Sequence, residues 1–422
     1  MRPHSTHSHS RWLAAAALAV TILACQPDAD PAGLVGPITA SRGGIPTIET
    51  LASPGWQGTA ATLVAQASLP ATVATRMYSL VGVAQYLAVQ RAEDSDDETG
   101  RGRSRRDADR GAVAGASAVV LTYLFPTKAQ ALEDMVTAQR GVGDVGSQLA
   151  FARGEAVGRA VGAEIVTRGR ADGFTTPFTG SPPVGAGFWF SEATPPSVAG
   201  GPLAGTRPWF LASASQFRSA PPPAFGSAAF QADLAEIRAI AQTRTALQVQ
   251  IATSWAQGVG TPTTAAFWLR VATDGIAQHG YSERRATHLY ALLSATMFDA
   301  QIGCWDSKEI YWFVRPWQAD AAITVLAAVG KPNHPAYPSG HSCISASAAE
   351  VLSAFFPAQR GELDAMVTEA GLSRMYGGIH YRFDIEAGQL LGRSVAHLTI
   401  AADRSGHSVL TPDGDEKGDG PR

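Results

Sequence analysis

Apolar side chains recur every three to four positions through most of the chain after Phe230, and no run alternates apolar with polar residues long enough for a strand. That period predicts helices over 228–255, 264–275, 282–305, 308–329, 342–356, 362–376 and 379–404. Gly330-Lys331-Pro332 and Pro357 act as helix stops between them. Helical patterning also runs from about 59 to 92, and 111–141 with 142–170 read as an Ala/Val-rich pair. Two stretches break the pattern. Residues 93–110 are dense in charge, an acidic half followed by arginines, and read as a solvated, disordered loop. Residues 173–226 turn to Pro, Gly, Ser and aromatics, including Phe188-Trp189-Phe190 and Pro208-Trp209-Phe210. A structureless loop of that length is rare in a compact domain unless it serves a function. The expectation is an ordered coil wrapped over the helices and covering the site entrance. The alternative is a flexible linker, against which the large aromatics argue. The fold class is therefore all-α, built of antiparallel helical bundles with a long coil insert.

Composition supports that picture and narrows the setting. The 422 residues are 45% hydrophobic, enough for a large core in one domain over 53–404. A net charge of −3 carries no basic footprint for nucleic acid. Residues 1–25 read as an export signal: Arg2 and Arg11 precede a largely apolar run from Trp12 to Ala24, too short for a spanning helix. The run ends in Ile22-Leu23-Ala24-Cys25, an imperfect lipobox whose Cys25 would carry a lipid; a plain signal peptide with an incidental Cys is the alternative. A Pro/Gly-bearing tether over 26–52 and a polar tail over 405–422 flank the domain. The expected location is periplasmic, as an outer-membrane lipoprotein, or secreted, with no membrane contact beyond that anchor.

Chemistry gathers between Lys308 and Asp384. Lys308 stands seven residues before Arg315-Pro316, then come Pro338-Ser339-Gly340-His341, and finally Ser373-Arg374, His380 and Asp384. On a continuous helix Lys308 and Arg315 share one face. With Arg374 they suit a tetrahedral oxyanion, which guanidinium forks grip bidentately. The Gly340 amide can approach closely, and Ser339 adds a hydroxyl at the start of the next helix. His380 and Asp384, four apart, place a carboxylate against the imidazole Nδ1 and leave Nε2 free. His341 is placed for acid–base work across the anion. Cys304 lies one turn before Lys308 and Cys343 two residues after His341; if those segments meet, a disulfide becomes plausible in an oxidising compartment.

Taken together, these positions resemble the superfamily of type-2 phosphatidic acid phosphatases and vanadium-dependent haloperoxidases. The flanks His334-Pro335-Ala336-Tyr337-Pro338 and His380-Tyr381-Arg382-Phe383-Asp384 resemble the haloperoxidase branch, and a weaker likeness includes Ala171-Asp172-Gly173 and Gly258-Val259-Gly260-Thr261-Pro262-Thr263. The resemblance implies an all-α fold with 300–404 as its catalytic core and vanadate as cofactor. It implies that Lys308, Arg315, Ser339, Gly340, His341 and Arg374 hold the oxyanion, that His380 bonds vanadium, and that His341 handles protons. Lys308 would polarise hydrogen peroxide and a halide would attack oxygen. Trp305 matches a halide-pocket Trp of the fungal chloroperoxidase. His334 stands where that enzyme has Phe and algal bromoperoxidases have His, which implies bromide and iodide before chloride.

The rival activity is an exported acid phosphatase that forms a phosphohistidine at His380, with a phosphate ester as substrate. A third reading is a lipoprotein that merely sequesters oxyanions, though binding alone needs no second histidine. Peroxide and halide, with an organic acceptor, are the partners of the preferred reading.

Overall fold

The computed structural model describes residues 51–95, 103–406 and 408–411. The residues expected to form an export signal, Cys25, nearly all of the expected tether and the end of the polar tail lie outside the described residues. Thirteen α-helices and no strands are found among those described. The first five are α1 (Ser53–Gln66), α2 (Ala71–Ser95), α3 (Arg103–Leu124), α4 (Ala129–Arg140) and α5 (Val145–Arg170). After the coil come α6 (Ala228–Thr243), α7 (Ala246–Ser254), α8 (Thr263–His279), α9 (Glu283–Tyr311) and the single turn α10 (Pro316–Ala319). The last three are α11 (Gly340–Phe355), α12 (Arg360–Tyr376) and α13 (Arg382–Arg404). No described helix is long and apolar enough to cross a membrane.

The central element is α9. Every residue from 289 to 305 is buried, because this stretch is built of Ala, Leu, Ser, Thr and aromatics with no charge except Asp299. A helix apolar on all sides has to be enclosed by others, and α2, α11 and α13 enclose this one. Small residues set the spacing. A Cβ at Gly82 would meet Ser294 Oγ at 2.6 Å, and one at Gly154 would meet the Ala108 carbonyl at 1.8 Å, so α2 packs on α9, and α3 on α5, nearly backbone to backbone. Gly388 and Gly392 do the same for α13 on α11: added methyls would meet the Ser339 carbonyl at 2.6 Å and the Cys343 carbonyl at 2.3 Å. The Gly388 contact lies where α11 begins, at its cap Ser339, and α11 begins in the site.

Asp299 explains how the long coil is held. Its buried carboxylate accepts the amides of Trp209, Phe210 and Leu211 at 2.8, 2.7 and 3.0 Å. Elsewhere the coil donates the Trp189 amide to the Trp312 carbonyl (2.6 Å) and the Ala199 amide to the Asn333 carbonyl (2.8 Å). The Trp305 indole donates to the Ala199 carbonyl at 3.1 Å. The coil is thus bonded directly to the segments on both sides of Lys308.

Four expectations from the sequence need correction. Residues 93–95 and 103–110 are not loop: they finish α2 and open α3, with Glu93 buried between Arg105 (2.8 Å) and Arg284. Cross-element ion pairing absorbs charges that look solvated when counted along the chain. The helix expected over 308–329 does not exist, and Lys308 belongs to α9. That helix stops at Trp312, which is left-handed (φ 45°, ψ 37°) and donates its amide to the Lys308 carbonyl. Arg315, preceding Pro316, is extended as such residues must be. The helix expected from 379 starts only at Arg382. The helix expected over 228–255 is two, parted at Arg244 and Thr245, where Thr245 caps α7.

Candidate active site

Lys308 and Arg315 reach the site from different directions, since the turn at Trp312 lies between them. Lys308 is fully buried on the last turn of α9, its ammonium donating to the carbonyls of Pro335 and Ala336 (both 2.8 Å) and of Pro338. Arg315 is equally buried. Its Nε donates to the His334 carbonyl (2.9 Å), Nη1 to the Ile379 carbonyl (2.7 Å) and to His380 Nε2 (3.1 Å), and Nη2 to His334 Nδ1 (3.1 Å). Arg374, near the end of α12, donates Nη1 to the Trp255 carbonyl at 3.0 Å, while its buried Nε has no protein partner. Burial lowers Lys308 to about 8, Arg315 to about 10 and Arg374 to about 9, and Arg315 adds to the effect on the other two.

His380 precedes α13 and does not sit on it. Its Nδ1 lies 2.8 Å from Asp384 Oδ2, which also accepts the Tyr381 amide at 3.0 Å from its place in the first turn of α13. The pairing expected from a shared helical face is therefore made across a helix start. A guanidinium only donates, so His380 Nε2 must accept from Arg315 and the proton resides on Nδ1. Burial and the charges of Arg315, Lys308 and Arg374 lower the imidazole well below its usual value, so it is neutral. Burial holds the Asp384 carboxyl up at about 7.

Ser339 caps α11, its hydroxyl accepting the Ser342 amide at 3.4 Å, and its own amide donates to the Asp384 carbonyl at 2.9 Å. Gly340 and His341 form the first turn, where amides have no carbonyl within the helix. His341 Nε2 lies 3.0 Å from both Thr264 Oγ1 and the Trp255 carbonyl. Trp305 stands beside the cluster, 5.1 Å from the His334 ring and 5.7 Å from Lys308 Nζ. All the predicted site residues thus converge. The expected Cys304–Cys343 disulfide is not formed: both thiols are free and fully buried. Cys304 Sγ approaches the Pro338 carbonyl at 3.7 Å. Of the helix histidines, His279 and His288 bond the Gly275 carbonyl and Asp403, and His397 lies 3.6 Å from Glu350, all with partners outside this cluster.

Sequence reasoning missed the carbonyls of Trp255, His334, Pro335, Ala336 and Pro338, and the hydroxyl of Thr264. Carbonyl roles leave no side-chain signature. The comparisons agree with the helical architecture. The fold is the one found in bacterial vanadium-dependent haloperoxidases of known structure. The superfamily model matches residues 287–405, the helices that carry the cluster. A bacterial vanadium-dependent iodoperoxidase superposes with a TM-score of 0.70 at 23% identity, over 86% of this chain and 97% of its own. A bacterial vanadium-dependent chloroperoxidase in its holo form gives 0.64 at 15% identity, over 79% and 92%.

The cluster suits a tetrahedral oxyanion, vanadate or phosphate, on its donor chemistry. Three buried cations converge with one buried carboxylate, Asp384, among them, and Arg374 Nε is an unpartnered donor. A tetrahedral oxyanion supplies the missing negative charge and the missing acceptors. Lys308, Arg315, Arg374 and the first-turn amides of α11 would hold its oxygens, and the His380 Nε2 lone pair would take the metal.

Proposed function

We propose that this protein is a vanadate-dependent haloperoxidase, converting hydrogen peroxide, halide and a proton into hypohalous acid and water. The observation that carries this reading is an unprotonated His380 Nε2 set among three buried cations. Vanadate, when bound, supplies a Lewis acid that activates peroxide for two-electron oxygen transfer while keeping its own oxidation state. The chain does the rest. Lys308, Arg315 and Arg374 neutralise the charge of the oxyanion, Asp384 keeps the His380 proton on Nδ1, and His341 moves a proton to or from the oxygen that leaves as water. Lys308, lowered to about 8, is still charged near neutral pH, and its positive charge beside the oxyanion polarises the peroxide. Bromide and iodide are the assigned halides, because His334 sits against Trp305 and engages Arg315 in place of an apolar aromatic. Chloride is harder to oxidise and requires stronger activation of the peroxide.

The test is purified protein with vanadate, peroxide and each halide, run beside a phosphate-ester assay. Expected are bromide and iodide turnover that disappears on vanadate removal and is competed by phosphate. His380→Ala should lose vanadate binding, whereas His341→Ala should bind it and lose most turnover. His334→Phe should shift the halide profile toward chloride. Ester hydrolysis with no halide oxidation would reverse the assignment in favour of a phosphohistidine at His380.

A further inference from the structure

His341 is held through one ring nitrogen. Its Nε2 meets the Trp255 carbonyl and Thr264 Oγ1, each at 3.0 Å. A carbonyl oxygen can only accept, so Nε2 carries the hydrogen, Thr264 Oγ1 shares it, and Nδ1 is bare. The Trp255 carbonyl is itself well fixed. It also accepts from Arg374 Nη1 at 3.0 Å, and the Trp255 indole donates to Glu369 at 2.7 Å while its ring packs on Phe267 at 4.7 Å. Thr264 is buried on the first turn of α8. It follows Thr263, a β-branched residue held at φ 72°, a conformation that such residues avoid unless the surroundings impose it. The segment from Trp255 to Thr264 is thus a strap whose two ends deliver a carbonyl and a hydroxyl to one imidazole. The charged and titratable groups facing that imidazole are Arg374 and His334.

We propose that Thr264 is a positioning residue: with the Trp255 carbonyl it holds His341 as the Nε2–H tautomer, leaving Nδ1 as the nitrogen available to the oxyanion. This rests on the acid–base role proposed for His341, but the tautomer can be measured without any activity. The carbonyl can only accept from Nε2, and the Thr264 hydroxyl is the second partner that keeps the ring turned to it, so the variants remove the hydroxyl with and without a change of side-chain shape.

The experiment is long-range proton–nitrogen correlation on protein labelled with ¹⁵N-histidine, with His341 assigned by its loss in His341→Gln. Wild type and Thr264→Ser should show protonated Nε2. Thr264→Val, and Thr264→Ala as a variant that adds no bulk, should show mixed tautomers. Bromide turnover should fall about tenfold in Val and Ala and be restored in Ser, the scale on which hydrogen-bond partners of a functional imidazole act. Affinity for inorganic phosphate should stay within about twofold, since the cradle's own donors are untouched. A wild-type Nδ1–H tautomer would overturn the proposal. So would an unchanged tautomer in both Val and Ala, or a phosphate affinity that falls in step with turnover. If the protein oxidises no halide, the tautomer pattern alone decides this assignment while the functional reading fails separately.

Discussion

Two clusters built on buried charged groups sit on this fold, and they are satisfied in opposite ways. Between α2, α3 and α9, Glu93 bridges Arg105 and Arg284, and Asp107 pairs with Arg110 at 3.2 Å. Glu283 there accepts the amides of Ala52 and Ser53 at 2.6 and 2.9 Å. Each of these three carboxylates meets a donor from the protein itself. At the other cluster Lys308, Arg315 and Arg374 are bonded to neutral carbonyls and imidazoles, with Asp384 turned toward His380. Neutral acceptors solvate a cation but do not cancel it. The first cluster joins helices. The second stores positive potential, which is what a site for a small anion requires.

The comparison breaks most visibly at Arg374. Arg374→Met should cut halide turnover at least about a hundredfold, the scale for losing one preorganised oxyanion donor. The same change should leave the anion-free protein as stable as before or up to about 3 kcal/mol more so, because an uncompensated buried charge has gone. Loss of fold in that variant would contradict the contrast. Next in size, phosphate or vanadate at about a hundred times its Kd should stabilise the wild type by about 2.7 kcal/mol in thermal melts and leave Arg374→Met unmoved. Glu93→Gln should cost about 2 kcal/mol by leaving Arg284 and Arg105 short of their carboxylate, with phosphate affinity unchanged. Isothermal titration beside chemical denaturation separates the two effects.

A further effect is in pH. Asp109, buried with Oδ1 unpartnered, is held up at about 7 by burial and by nearby Glu93. Its folded pKa is above its unfolded one, so the folded state binds the extra proton. Stability contributed there is present at about pH 4 and is lost as pH rises toward 7. Asp109→Asn should flatten that slope by at most about 1.4 kcal/mol per pH unit.

What could be read beforehand follows the same division. Side chains at fixed spacing, such as Lys308, His341 and His380, announce themselves because their chemistry is in the residue type. The apolar period of α9 and α13 was equally plain. Backbone events were not. No pattern marks Trp312 as the left-handed residue that ends α9, since a Trp there is paid for by stacking on Trp189 at 6.2 Å, a partner far off in sequence. The Trp255 carbonyl was invisible for the same reason, and Glu93 looked solvated because Arg284 lies 191 residues away.

The break at Trp312 also bears on transplanting this motif. Seven residues of unbroken helix would set the Lys308 and Arg315 backbones about 10.5 Å apart along one axis, side by side like rungs. Two rungs can flank an ion but cannot surround it. The six-residue spacer therefore works as a corner and not as a ruler. A scaffold given Lys, six residues and Arg-Pro on a straight helix would carry the signature in full and close on nothing.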